Sequence, residues 1–312
     1  MKSAWILGGK GFIGRHLSVL LAQKGVDVTG FGHGEWLPDE ARSWGMQHWK
    51  SGEIDCHGLM DLASERGIPD TIFHLAGGSL VMASVERPFE DFQKTVISTA
   101  ETLEWVRTAA PDTAVVFASS AAVYGNEQSI PIREDSSIAP CSPYGYHKRM
   151  AELLIESYAR RFGVRVSVVR LFSVYGEGLR KQLLWDLCGR CASNPRDIQL
   201  QGTGNEVRDW LWVEDAASYL SQASGLAGAV PFLVNGGTGQ PCTVREISES
   251  VIRDWGLDCQ VRFSQVTRPG DPAYLVADNT WGVECGFKAE MDWSDGIRRY
   301  VKWFKKDAGL DQ

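Results

Sequence analysis

The stretch Ala4-Trp5-Ile6-Leu7-Gly8-Gly9-Lys10-Gly11-Phe12-Ile13-Gly14 decides how this chain is read. A short apolar run ends in glycines, and Leu17, Leu20 and Leu21 then recur at helical spacing until Lys24-Gly25 stops the pattern. That is strand, glycine turn and helix. Gly8 permits the tight turn, Gly11 lets the backbone approach a pyrophosphate, and Gly14 allows the helix to pack closely. The new helix offers its N–H groups and positive dipole end to phosphate oxygens. Gly8, Lys10, Gly11, Phe12, Ile13 and Gly14 are therefore candidate dinucleotide-binding residues.

Working outward, residues 4–7, 26–31, 71–75, 114–118 and 165–171 read as strands, with helical patterns between several of them, notably 89–108. The alternation predicts an α/β fold, a Rossmann-type doubly wound parallel sheet with a smaller C-terminal lobe. Residues 1–175 are expected to form the dinucleotide-binding domain, rejoined by parts of 207–240, and 176–312 mainly the substrate-binding lobe. Ligands of such sheets bind at the carboxyl ends of the strands. Leu75-Ala76-Gly77 and Ser119-Ser120 both follow strand ends, so they can converge on the glycine turn.

Tyr144 and Lys148 lie four residues apart, one helical turn. Ser142 is a good N-cap, Pro143 fits the first helical position, and Phe162-Gly163 reads as the stop. A phenol ordinarily titrates near ~10, and a neighbouring ammonium favours the phenolate. The pair is thus expected to make Tyr144 a proton donor and acceptor near neutral pH.

With 312 residues, 44% hydrophobic and 23% charged, the chain can bury a large core. A net charge of -7 argues against nucleic acid, whose binding rests on clustered cations. Seven scattered cysteines and an N-terminus without a signal-peptide core suggest a reduced cytoplasmic protein. No apolar stretch approaches the ~20 residues that span a bilayer, so no membrane partner is expected. Cys188-Gly189-Arg190-Cys191 has no second pair and reads as packed thiols, with no metal site. Cys141 reads as a loop thiol, His74 as a satisfied core histidine, and His147 as facing away from the site on its helix.

Further along stand Ser119-Ser120-Ala121-Ala122-Val123-Tyr124-Gly125, Arg170-Leu171-Phe172-Ser173-Val174-Tyr175-Gly176, Arg208-Asp209-Trp210 through Val213-Glu214-Asp215, and Arg268-Pro269-Gly270-Asp271. With the glycine turn, Leu75-Ala76-Gly77, Tyr144 and Lys148, these make the chain resemble the extended short-chain dehydrogenase/reductase family, in its NAD-dependent epimerase/dehydratase branch that modifies nucleotide-activated sugars. The resemblance implies that Ser120 is the catalytic Ser/Thr, with Ser119 as fallback, that Tyr144 is the acid/base, and that Lys148 lowers its pKa and holds the nicotinamide ribose. It also implies that Arg208 and Arg268 grip the diphosphate of a nucleotide-diphosphate sugar, a task suited to a guanidinium fork. Arg180 and Lys181 either line the substrate cleft or are solvated. A homodimer is common in the family.

Departures narrow the activity. The 4,6-dehydratases of that family carry an acidic pair after the catalytic Ser/Thr, whereas this chain has Ala121 and Ala122, so dehydration is not expected. Sugar 4-epimerases commonly have asparagine at the position of Ser173. The second strand ends Val28-Thr29-Gly30-Phe31-Gly32-His33-Gly34 without the carboxylate usual for NAD, while Lys10 and His33 supply positive charge. NADP(H) is therefore the preferred cofactor; NAD(H), bound through backbone and Glu53 beside Ile54, is the alternative. The expected activity is reduction of a 4-ketosugar on a nucleotide. The alternatives are a UDP-glucose 4-epimerase-like enzyme retaining NAD, and a non-catalytic dinucleotide-binding regulator, against which the intact Ser120, Tyr144 and Lys148 argue.

Overall fold

Parallel strands covered by helices on both faces read as unbroken apolar runs, and Ala4–Leu7 and Ala114–Phe117 are such runs, buried throughout. The computed structural model describes residues 1–126, 130–194, 196–266 and 272–310. Its strands are β1 (Ser3–Leu7), β2 (Asp27–Gly32), β3 (His48–Ser51), β4 (Thr71–His74), β5 (Ala114–Ser120), β6 (Val166–Leu171), β7 (Ser173–Tyr175), β8 (Ile198–Leu200), β9 (Val207–Trp212), β10 (Phe232–Gly236), β11 (Pro241–Thr243), β12 (Val261–Phe263) and β13 (Tyr274–Leu275). Seven of them form one parallel sheet in the order β10-β6-β5-β4-β1-β2-β3. The chain runs from β1 outward to β3 and then crosses back to β4 on the other side of β1. That reversal opens a crevice at the carboxyl ends of β1 and β4, the place where doubly wound sheets hold ligands.

The helices are α1 (Phe12–Gln23), α2 (Pro38–Ser43), α3 (Cys56–Arg66), α4 (Val81–Glu86), α5 (Pro88–Phe92), α6 (Ser98–Ala109), α7 (Pro143–Phe162), α8 (Gln182–Ser193), α9 (Val213–Ala223), α10 (Val244–Trp255), α11 (Thr280–Glu284) and α12 (Trp293–Asp307). Separate apolar cores lie on the two faces of the sheet, one including Leu17, Leu21 and Leu220, the other Leu59, Leu103 and Ile155. A third core, around Leu187, Ile247 and Ile297, belongs to the smaller lobe built on the short strands β7 to β9 and β11 to β13 with α8, α10 and α12. Between the lobe's segments, α9 and β10 return to the large sheet, α9 against α1 and β10 beside β6.

The pattern at 89–108 reads as one helix, but the structure breaks it into α5, a π-turn at Gln93–Ile97, and α6. The wider turn carries Thr95, whose Oγ1 accepts the Gly78 N–H at 2.9 Å. A hydroxyl on a wide turn gives the loop after β4 a fixed partner.

Candidate active site

The glycine turn is shaped by close approach. Gly8 takes φ +84°, and a Cβ on Gly14 would stand 2.7 Å from the carbonyl oxygens of Gly8 and Gly9. Gly11 caps α1 without a side-chain hydrogen bond, and the first turn holds no acidic residue. The opening N–H groups of α1 thus face a cradle suited to a pyrophosphate, so the residues present fit a dinucleotide.

A cavity of about 1840 Å³ runs from this turn across the ends of β4 and β5 to the smaller lobe. Gly8, Lys10, Gly11, Phe12, Ile13, Gly14, His33, Glu53, Ile54, Leu75, Ala76 and Gly77 line it on the sheet side, as do Ser120, Tyr144 and Lys148. Ser173 and Arg208 line it farther along. Arg180 is a correction: it turns outward into an exposed ion pair with Asp307 at 2.5 Å, while its neighbour Lys181 lines the cavity and donates to Ser79 Oγ at 2.8 Å. Arg268 lies outside the described residues.

Ser142 caps α7 by accepting the Gly145 N–H at 3.2 Å, and the Tyr144 N–H is held by Ser84 Oγ at 3.0 Å. A Cβ on Gly145 would come within 2.6 Å of the Ala122 carbonyl oxygen, so the helix start sits directly against the segment after Ser120. Ser119 cannot serve as the fallback, because its hydroxyl is buried and donates to Glu152 Oε1 at 2.6 Å. Glu152 is in turn gripped by buried Arg170 through Nε and Nη2, each at 2.9 Å. Both serines line the cavity, but it is Ser120 whose hydroxyl interacts with the Tyr144 phenol.

Burial pushes the Tyr144 phenol above its ordinary range, and the charge of Asp91 adds to that, while the hydrogen bond with Ser120 works against it. The expectation that Lys148 lowers the phenol is not met in this arrangement. Lys148 Nζ lies 5.9 Å from the Tyr144 ring centre and donates to the Ala118 carbonyl at 2.9 Å. Burial brings Lys148 itself down to about 8, partly offset by Asp91 and Glu152. Its ammonium also bounds the loop: a Cβ on Gly77 would stand 3.3 Å from Nζ.

His147 does face away from the cavity, which it does not line; it is buried on another side of the helix, with Nδ1 at 2.5 Å from Asp91 Oδ2. His74 is a core histidine, fully buried, with Nε2 near Thr99 Oγ1 at 3.3 Å and Ser98 Oγ at 3.4 Å. Burial lowers it to about 3. Cys188 and Cys191 are buried thiols, and among the described residues no group of His, Cys, Asp or Glu could hold a metal ion.

At the adenosine end, the cations proposed for a 2′-phosphate already have partners. Lys10 donates to the Glu35 carbonyl, and His33 Nδ1 lies 3.6 Å from Glu53 Oε1. A carboxylate does stand here, supplied from beyond β3 instead of from the end of β2. Sequence reading missed Trp49, which lines this end and donates to the Gly34 carbonyl at 3.0 Å. The signal was Gly30 on the neighbouring strand, where a Cβ would lie 2.8 Å from the indole.

A dinucleotide-binding glycine turn, a Ser, Tyr and Lys on one wall and a second lobe along the cavity are the arrangement of the extended short-chain dehydrogenase/reductase type. Residues 4–226 match the model of the NAD dependent epimerase/dehydratase family, and the chain belongs to that family. It is 28% identical to the UDP-glucose 4-epimerase of Azospirillum brasilense over 98% of this chain and 88% of the relative. The UDP-glucose 4-epimerase of Rhizobium meliloti strain 1021 is 29% identical over 88% of each. The solved structure of MoeE5 in complex with UDP-glucuronic acid and NAD superposes with a TM-score of 0.87 at 27% identity, covering 98% of this chain and 99% of that one. These likenesses favour the epimerase alternative over 4-ketosugar reduction and give NADP(H) no support. Among the described residues no helix is long and apolar enough to cross a membrane.

Proposed function

We propose that this chain is an NAD-dependent 4-epimerase of a UDP-sugar, with UDP-glucose as the first substrate to try. The observation that carries the reading is that Ser120, Tyr144 and Lys148 share one cavity with the glycine turn, in a chain similar along its length to UDP-glucose 4-epimerases. NAD, when bound, supplies the hydride carrier and a positive charge at its nicotinamide ring. Gly8, Gly11 and Gly14 would hold its pyrophosphate, Glu53 and Ile54 its adenosine, and Lys148 its nicotinamide ribose. Tyr144 takes the proton of the reacting sugar hydroxyl and later returns it, and Ser120 donates to the sugar oxygen as it passes between alcohol and ketone. Arg208 is proposed to hold the diphosphate while the ketone turns to present its other face. Elimination of water is disfavoured, because Ala121 and Ala122 offer no acid or base beside Ser120.

Thiol cysteines throughout support a reducing, cytoplasmic setting. Exposed Phe89, Ile97, Tyr146, Met150 and Leu153 support self-association into a homodimer, which light scattering would detect. Incubation of the protein with NAD and UDP-glucose should yield UDP-galactose. Consumption of NADPH with a nucleotide-linked 4-ketosugar, with no epimerised product from UDP-glucose or UDP-glucuronate, would replace this reading by reduction.

A further inference from the structure

We infer that Asp91 and His147 form a positioning pair, which pins the helical turn carrying Tyr144 and Lys148 against the loop after β4 and gives the buried carboxylate near the phenol a fixed partner. Asp91 comes from α5 and is 6% exposed; His147, on α7, is three residues after Tyr144 and one before Lys148. Their Nδ1 and Oδ2 atoms are 2.5 Å apart, and the Phe92 ring packs edge-on against the imidazole at 5.6 Å. The other carboxylate oxygen of Asp91 lies under the loop after β4, where a Cβ on Gly78 would stand 1.6 Å from it. Asp91 therefore touches the acid/base helix and the cavity-lining loop at once.

Charge makes the pairing matter. To take the sugar hydroxyl's proton, Tyr144 must start as the phenolate and becomes neutral as it accepts, and Asp91 opposes that starting charge. A buried carboxylate with no partner is costly and acts over a short range through a low dielectric. The other charged groups around the phenol are accounted for. On α7, Lys148 faces it and Glu152 is bound to Arg170. From β5 come the neutral hydroxyls of Ser119 and Ser120, and from β4 comes His74, held neutral by burial. On α5, Glu90 lines the cavity and is paired with Arg87 and Lys94.

This inference rests on Tyr144 being the acid/base, which loss of turnover in Tyr144→Phe tests separately. The test of the pair needs no substrate: the phenolate absorbance of the NAD-loaded protein is titrated with the Tyr144→Phe protein as blank. Asp91→Asn should let Tyr144 ionise at lower pH. The melting temperatures of Asp91→Asn, His147→Phe and the double variant should be non-additive, the double variant losing no more than the less stable single one. Additive losses, or an Asp91→Asn phenolate curve that coincides with wild type, overturn the inference. Should His147→Phe fail to fold, His147→Gln replaces it in the same comparison, with the same two outcomes.

Discussion

On the sheet side of the cavity, the groups proposed to react are short or fully anchored: Ser120 ends a strand, Lys148 is tied to the Ala118 carbonyl, and Ser119, Glu152 and Arg170 form a buried network behind them. On the lobe side, long cations reach in, Lys181 from just before α8 to Ser79 and half-buried Arg208 from β9, with Gln182 opening α8 at φ +67°. The difference teaches a division of labour. Groups that must meet a reacting atom within tenths of an ångström sit on packed elements, whereas groups that hold a flexible diphosphate sugar can be long side chains.

Several measurements can break that comparison. The largest effect belongs to Tyr144→Phe, which should lower turnover by roughly 10²–10⁴ while isothermal titration shows NAD affinity retained. Arg170→Met should come next. It strands the Glu152 carboxylate in the interior and should cost about 3–5 kcal/mol in denaturant unfolding, whereas Arg180→Met, on the exposed pair with Asp307, should cost no more than about 1 kcal/mol. Equal losses for the two arginines would erase the distinction between the walls.

Acid sharpens it further. His74 titrates at about 3 in the folded protein, below its ordinary 6.5, so the unfolded chain takes up the proton first. Stability is therefore complete above that ordinary value and falls as pH drops toward the folded value, by about 1.4 kcal/mol per unit. Unfolding curves of His74→Asn should be flatter over this window. The smallest effect is expected at Lys181→Gln: KM for the nucleotide sugar rises roughly tenfold with turnover and melting temperature nearly unchanged.

Features that depend on near neighbours in sequence were legible beforehand. The glycine turn, the strand ends at 75–77 and 119–120, and the Tyr144–Lys148 spacing are all local, and the structure brings these residues to one cavity. What escaped depends on residues far apart in the chain. That Ser119 is engaged and Ser120 is left to meet the phenol turns on Glu152, thirty-three residues on from Ser119. That Arg180 leaves and Lys181 enters turns on Asp307. The buried partner of His147 is Asp91, fifty-six residues earlier, and the carboxylate missing from the end of β2 is supplied by Glu53 from beyond the adjacent strand. The phenol was misjudged for a related reason: one-turn spacing brings an ammonium near, but burial and the ammonium's own carbonyl partner decide what it does.

The π-turn at Gln93–Ile97 acts as a spacer one residue longer than an α-helical turn needs. Removing one residue there would close the helix as an ordinary α-turn with the residues on either side kept in register, and the widened backbone that carries Thr95 to the Gly78 N–H would be lost. A single-codon deletion in this turn is thus a sharper probe of the loop's anchorage than any side-chain replacement.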